Sequence, residues 1–313
     1  MAASYRGRYG PGMRFSVWPS PSQPASELLE VARHADATGW DGIYVSDHFM
    51  GDGGGFGAVD SPVLEATALL AAMATATERI RLGSLVFGST YRHPAVLANW
   101  AATVDQLSGG RLVLGLGAGW QENEHEQYGI ELPTVKDRVD RFAEVCEVTR
   151  SLLDAEVTHF AGEWFTFDGA VCEPKPVQSP LPLLVGAKGD RMIGIAARWA
   201  DEWNMWGLPE VVAGRMAVLE RTCERIGRDP GTLARSTQAL VMLTDDAEAA
   251  RAFVESVAPR AAVAGTPDQV AEVVGRWQDV GIDELIVPDF VLGTGDRKLE
   301  ALDALAAAFA PFR

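Results

Sequence analysis

Two hydrophobic periods take turns along this chain. Met13 to Trp18 is a short, mostly apolar run, the pattern of a buried strand. Ser26 to Thr38 then places Leu28, Leu29, Val31, Ala32 and Ala35 on one helical face and stops at Gly39. The exchange recurs to the C-terminus. Further strands are expected over 42–45, 80–87, 111–116, 181–185, 201–205, 235–243 and 284–287. Helices are expected over 63–77, 93–107, 135–153, 190–199, 209–226, 247–257, 266–280 and 297–309. Ser61-Pro62 reads as the start of the second helix, and Ser108-Gly109-Gly110 as the stop of the third. Residues 159–180 break the rhythm. Phe160, Trp164, Phe165 and Phe167 alternate with polar residues around Gly162 and Gly169, and Pro174, Pro176 and Pro180 follow, which suits a hairpin and an extended insertion.

About eight strands, each followed by a helix through a short connection, predict a parallel sheet with helices outside it. The count suits a closed (β/α)8 TIM barrel, which commonly uses ~250 residues as one unit, better than an open doubly wound sheet. The expected layout is a disordered lead-in over 1–12 and one barrel domain over 13–313, with the 159–180 insertion and the 49–61 loop serving as lids or an interface.

Composition narrows the function. Hydrophobic residues make up 47% and charged residues 22%, ordinary values for a globular enzyme. No apolar run approaches the ~18 residues of a membrane span, and Met1 to Gly12 lacks the apolar core of a signal peptide. A net charge of −16 argues against nucleic acid or an anionic membrane as partner. It also requires any anionic cofactor to sit in a local basic or amide-rich pocket. Cys146, Cys172 and Cys223 are odd in number and far apart, so neither a disulfide framework nor a zinc site is expected, and a cytoplasmic chain follows.

The candidate chemistry starts where the strand Gly42 to Val45 ends, at Ser46-Asp47-His48-Phe49 and the glycine-rich 51–55. Parallel α/β folds place chemistry at the C-terminal ends of strands. Imidazole suits a proton-transfer role there because its ordinary pKa lies near neutrality. Alone, such a pair is more often a turn cap and a surface histidine; the strand-end position reverses that preference. Gly83 and Gly88 flank the third strand and allow close approach of a planar ligand, or simply punctuate it. Gly115, Gly117 and Gly119 follow the fourth strand. They miss the dinucleotide fingerprint and suit a close-approach loop better than a phosphate loop. Beyond them Asn123 is the better ligand candidate, while Glu124 and Glu126 read as a solvated helix start. Gly186-Ala187-Lys188-Gly189-Asp190-Arg191 opens a helix with free backbone N–H groups and two cations, the best phosphate-binding stretch in an acidic chain. Trp199, Trp203 and Trp206 read mainly as core, with one available to line a pocket. Tyr91-Arg92-His93 divides evenly between helix cap and ligand contact.

Together these stretches resemble the bacterial luciferase-like superfamily, and within it the oxidoreductases that use the deazaflavin coenzyme F-420. The resemblance is carried by 40–49, 79–83, 92–98, 107–111 running on to Gly119-Trp120, 173–178 and 196–204, in order, across about 13–290. It implies a (β/α)8 barrel with an insertion, a flavin-like ring at the C-terminal face, and a non-proline cis peptide at Leu85-Val86 supporting that ring. It also implies that Asp47 contacts the cofactor, that His48 sits beside the reacting carbon, that Asn123 binds the ring's polar edge, and that Gly186 to Arg191 take the tail phosphate. Relatives that oxidise a sugar phosphate carry an acid where this chain has Trp120 and an aromatic where it has the glycine-rich 51–57, so sugar-phosphate dehydrogenation is not expected. The expected activity is hydride transfer between F-420 and a small organic substrate by a homodimer. A monooxygenase using reduced FMN and O2 is the alternative, and a non-catalytic flavin-binding barrel is a further one.

Overall fold

A computed structural model describes residues 12–54 and 56–313, so the expected lead-in lies, but for Gly12, outside the described residues. The chain runs β1 (Arg14–Trp18), α1 (Ala25–Ala37), β2 (Gly42–Val45), α2 (Ala66–Ala76), β3 (Arg81–Ser84), β4 (Phe87–Gly88) and α3 (Pro94–Ser108). Next come β5 (Leu112–Gly117), α4 (Glu122–Tyr128), α5 (Val135–Asp154), β6 (Thr158–Ala161) and β7 (Thr166–Ala170). The second half holds β8 (Leu183–Gly186), α6 (Asp190–Trp199), β9 (Glu202–Trp206), α7 (Pro209–Arg225), β10 (Ala234–Gln238) and β11 (Leu240–Leu243). It ends with α8 (Ala247–Ser256), β12 (Ala262–Gly265), α9 (Pro267–Asp279), β13 (Glu284–Pro288) and α10 (Asp296–Phe309).

Eight parallel strands, β3-β2-β1-β13-β10-β9-β8-β5, close on themselves through a β3–β5 pairing, so the expected barrel is present. The period-2 alternation explains its two faces. Phe15 and Val17 of β1, Ile43 and Val45 of β2, and Leu285 and Val287 of β13 face the helices and join the large apolar core. The opposite faces fill the barrel, where Trp18, Tyr44, Leu85, Val113, Leu184 and Ile286 form a separate layer. Below them, at the N-terminal strand ends, lies a buried charge network. Arg81 donates to Glu284 at 2.6 Å and to Glu202 at 3.1 Å, and Arg14 Nε donates to Glu284 at 3.1 Å. Burial alone would raise the Glu284 carboxyl, but the two guanidinium groups hold it below its ordinary value. This plug leaves the C-terminal face for a ligand.

Three boundaries depart from expectation. α2 begins at Ala66 rather than after Ser61-Pro62, because the Glu65 carboxylate caps it by accepting the Ala68 N–H at 2.8 Å. The third strand breaks at a cis Leu85-Val86 peptide before β4. The strand expected over 235–243 splits: β10 stays in the barrel while β11 leaves to pair in parallel with β12. The short polar helix α4 was not expected. The hairpin of the insertion is present as antiparallel β6–β7. It lies against α5, where Glu144 accepts the N–H groups of Glu163, Trp164 and Phe165, and against His93 through Phe165 and Phe167.

Candidate active site

At the C-terminal face the strand ends enclose a cavity of about 420 Å³, within the range of small-molecule sites. Asp47 and His48 stand at the end of β2 and both line it. Asp47 is buried. Its Oδ2 accepts from Arg92 Nη1 at 2.5 Å and from the Gly88 N–H at 3.0 Å, while its Oδ1 has no partner among the described residues. The second arm of Arg92 reaches Glu65 at 2.5 Å, so one guanidinium ties the β2 end to the cap of α2. Burial pushes the Asp47 carboxyl upward, whereas Asp47 and Glu65 raise Arg92 against its own burial. These directions conflict for one pair. The 2.5 Å charge-assisted contact and the Gly88 N–H favour an ionised Asp47.

His48 is fixed from behind. Its Nδ1 lies 2.9 Å from Glu124 Oε1, and Glu124 is fully buried. The same carboxylate accepts the Phe49 N–H at 2.8 Å and the Tyr91 hydroxyl. Burial acts to raise the Glu124 carboxyl, but the His48, Tyr91 and Phe49 donors prevail and hold it below the ordinary range. An ionised carboxylate only accepts, so Nδ1 of His48 carries a proton and Nε2 is the ring nitrogen left for other partners. The adjacent loop is held residue by residue from α4: Gln121 donates to the Met50 carbonyl at 3.0 Å and Asn123 to the Gly51 carbonyl at 2.8 Å.

Glutamate 124 is therefore a correction: it is the anchor of His48 rather than part of a solvated helix start. The Asn123 amide donates to the Gly51 carbonyl, and Asn123 is not among the residues that line the cavity. The glycines also act differently from expectation. A Cβ on Gly115 would lie 1.9 Å from the Ser84 carbonyl, and one on Gly117 would meet Val86 Cγ2 at 2.6 Å. They admit the chain's own Leu85-Val86 bulge, which in turn forms the cavity wall. Gly83 and Gly88 likewise make room for the rings of Tyr44 and Tyr91. Gly119, at φ +83°, lines the cavity.

Gly186, Ala187 and Lys188 form the opposite wall ahead of α6. Lys188 is exposed and has no ion-pair partner among the described residues. Gly189, the N-cap of α6, and Arg191 lie off the wall, and Arg191 pairs with Asp140. The rest of the wall joins five aromatics, Trp18, Phe56, Tyr91, Trp120 and Trp206, to Met205 and the polar Asn204 and Gln238. Of the three clustered tryptophans, Trp206 lines the cavity while Trp203 is buried with Nε1 bonded to the Ala187 carbonyl. The 49–61 loop supplies Phe56, whereas the 159–180 insertion supplies nothing to the wall.

The profile of the luciferase-like monooxygenase family matches residues 12–260. The chain belongs to that family. Among curated relatives of this luciferase-like protein, an F-420-dependent glucose-6-phosphate dehydrogenase of Amycolatopsis mediterranei is 28% identical over 299 residues, covering 83% of this chain and 87% of the relative. Among solved structures, an F-420-dependent secondary alcohol dehydrogenase in complex with an F-420–acetone adduct superposes with a TM-score of 0.80 at 20% identity, covering 95% of this chain and 99% of that one. A long-chain alkane monooxygenase reaches 0.79 at 14% identity, covering 96% and 91%. These structural likenesses establish the shared barrel. The reading of 51–57 as a loop without an aromatic missed Phe56, which the sequence shows inside that glycine-rich stretch and whose ring centroid lies 5.4 Å from that of His48; Tyr91 was visible as a neighbour of Arg92, whereas Glu124, Gln238 and Asn204 carried no local signal.

Proposed function

We propose that this protein transfers hydride between the deazaflavin coenzyme F-420 and an organic substrate at the barrel's C-terminal cavity. The observation that carries this is His48, turned to the cavity that Leu85 and Val86 also line, with its Nδ1 held by buried Glu124. The residues present fit a flat ring with a polar edge. Buried Asp47 Oδ1, Trp18 Nε1 and Gln238 Oε1 all belong to wall residues and lack partners among the described residues. Leu85, Val86, Asp47 and Gly119 would hold the ring, with Gly117 making space for Val86. Gly186, Ala187 and Lys188 at the start of α6 would hold the anionic tail, with Gly189 and Arg191 one step outside. When bound, the coenzyme supplies two-electron hydride acceptance or donation.

The chain's own part is orientation and proton handling. Glu124 keeps His48 in one tautomer, so Nε2 accepts a proton from a substrate hydroxyl during oxidation and returns it during reduction. Asp47, pinned by Arg92, fixes the polar wall beside it. The assembly is read as a homodimer, in a cytoplasmic setting that agrees with three buried, unpaired thiols. Among the described residues no helix is long and apolar enough to cross a membrane.

Fluorescence titration of the purified protein with F-420 and FMN in parallel tests the cofactor. Saturable F-420 binding supports the reading. Tight FMN binding without F-420 binding replaces it with the O2-using monooxygenase that the family's name describes. Cofactor-linked turnover unaffected by His48→Ala would instead favour a barrel in which this site is not catalytic.

A further inference from the structure

We infer that the substrate is an apolar, ring-bearing alcohol, or the carbonyl compound formed from it, rather than a phosphorylated sugar; this rests on the hydride-transfer reading above. The inference comes from what surrounds His48. Its ring centroid lies 5.4 Å from that of Phe56 and 5.5 Å from that of Trp120, the latter edge-on. Phe56 in turn lies 6.1 Å from Trp120 and 6.2 Å from Trp18, and Trp18 lies 5.7 Å from Trp206. Phe290 backs the set, 5.3 Å from Trp18 and 6.2 Å from Phe56. These five aromatics come from five different strand ends or connections: β1, β2–α2, β5–α4, β9 and β13–α10. Only the fold brings them together.

A carbinol carbon within reach of His48 Nε2 must therefore carry its substituents into an aromatic box. Such a box favours rings, which stack or meet edge-to-face at these separations. It disfavours a sugar phosphate on two counts. Lys188 is the single cation on the described cavity wall, and it stands at the start of α6, where the coenzyme's own phosphate is read. A second phosphate would lose its water without a charged partner, and several hydroxyls would face ring carbons. Arg260 lies 5.7 Å from the Phe56 ring but is not part of the wall.

The chemistry balances. In oxidation the carbinol C–H bond breaks with its electron pair, leaving as hydride to the oxidised deazaflavin. The O–H proton passes to His48 Nε2 and the C=O bond forms. The alcohol loses two electrons and the coenzyme gains two.

The test has two independent arms. Isothermal titration of the coenzyme-free protein with acetophenone and with glucose 6-phosphate reads the substrate box directly. Turnover of 1-phenylethanol, 2-propanol and glucose 6-phosphate with F-420 reads it in the reaction. Acetophenone is expected to bind where glucose 6-phosphate does not. Phe56→Ala and Trp120→Ala are each expected to lower the ratio of kcat/KM for 1-phenylethanol over 2-propanol by about tenfold, the loss from one aromatic pair and its buried area. Trp120 is 52% exposed, so its removal leaves the core intact even if Phe56→Ala disturbs the loop. Preference for glucose 6-phosphate, or a ratio unchanged in both variants, overturns the inference. Failure to bind F-420 while acetophenone still binds through Phe56 and Trp120 overturns the coenzyme and leaves the box standing.

Discussion

Replacing Glu124 by glutamine preserves shape and changes one thing: a pure acceptor becomes half donor. Three donors converge on this fully buried group, His48 Nδ1–H at 2.9 Å, the Phe49 N–H at 2.8 Å and the Tyr91 hydroxyl. If the amide oxygen faces His48 and Tyr91, its NH2 faces the Phe49 N–H, and a buried donor without a partner costs about 1–3 kcal/mol. If the amide turns over, its NH2 donates to Nδ1 and the proton moves to Nε2, which then has no lone pair for a substrate hydroxyl. That orientation removes the general base, a loss of about 10²–10⁴ in kcat. Glu124→Gln is therefore expected to lower both stability and kcat with little change in F-420 affinity. The stability part has a pH signature. The Glu124 carboxyl lies below its ordinary value of 4.5 in the folded protein. Its contribution is fully present above that unfolded value and fades as pH falls through the lower folded value. Urea unfolding of both proteins should show a gap at pH 7 that narrows on acidification below 4.5. A variant with unchanged kcat across the pH profile, or a stability gap independent of pH, refutes the reasoning.

Two further outcomes follow from the cavity walls. Gly115→Ala places a methyl 1.9 Å from the Ser84 carbonyl, a backbone clash no rotamer relieves, so the protein should be lost to aggregation or destabilised by about 3 kcal/mol or more, read by soluble yield and thermal melting. Lys188→Ala, at an exposed position, should leave the melting temperature within about 1 °C, since surface changes usually stay within ~0.5 kcal/mol. The same variant should weaken F-420 binding and flatten its salt dependence in fluorescence titration.

The barrel was legible because its strands bury one face against helices, and that face is apolar at Phe15, Val17, Ile43, Val45, Leu285 and Val287. The interior face was not: Arg14, Arg81, Glu202 and Glu284 look like surface charges in sequence, and only closure of the barrel pairs them. The same limit hid Glu124. On a polar seven-residue helix it has no apolar period, and its meaning comes from a histidine 76 positions away. That Asp47, His48 and the stretch before α6 meet at one cavity was readable because strand-end and helix-start positions gather at the same face of a barrel. The bond from Asn123 to the Gly51 carbonyl was not readable for the converse reason: a polar residue near a site is as often spent on holding backbone as on touching ligand.

The division between Gly115–Gly117 and the aromatic loops has a consequence for how this enzyme can change. The floor is inherited as a unit, since a side chain at Gly115 or Gly117 collides with β3–β4 itself. The ceiling is modular in its chain origins: Phe56, Trp120 and Phe290 each hang from a separate connection, and they are coupled only through the ring contacts that Phe56 makes with the other two. New substrates can therefore be acquired one loop at a time while the redox chemistry beneath stays constant.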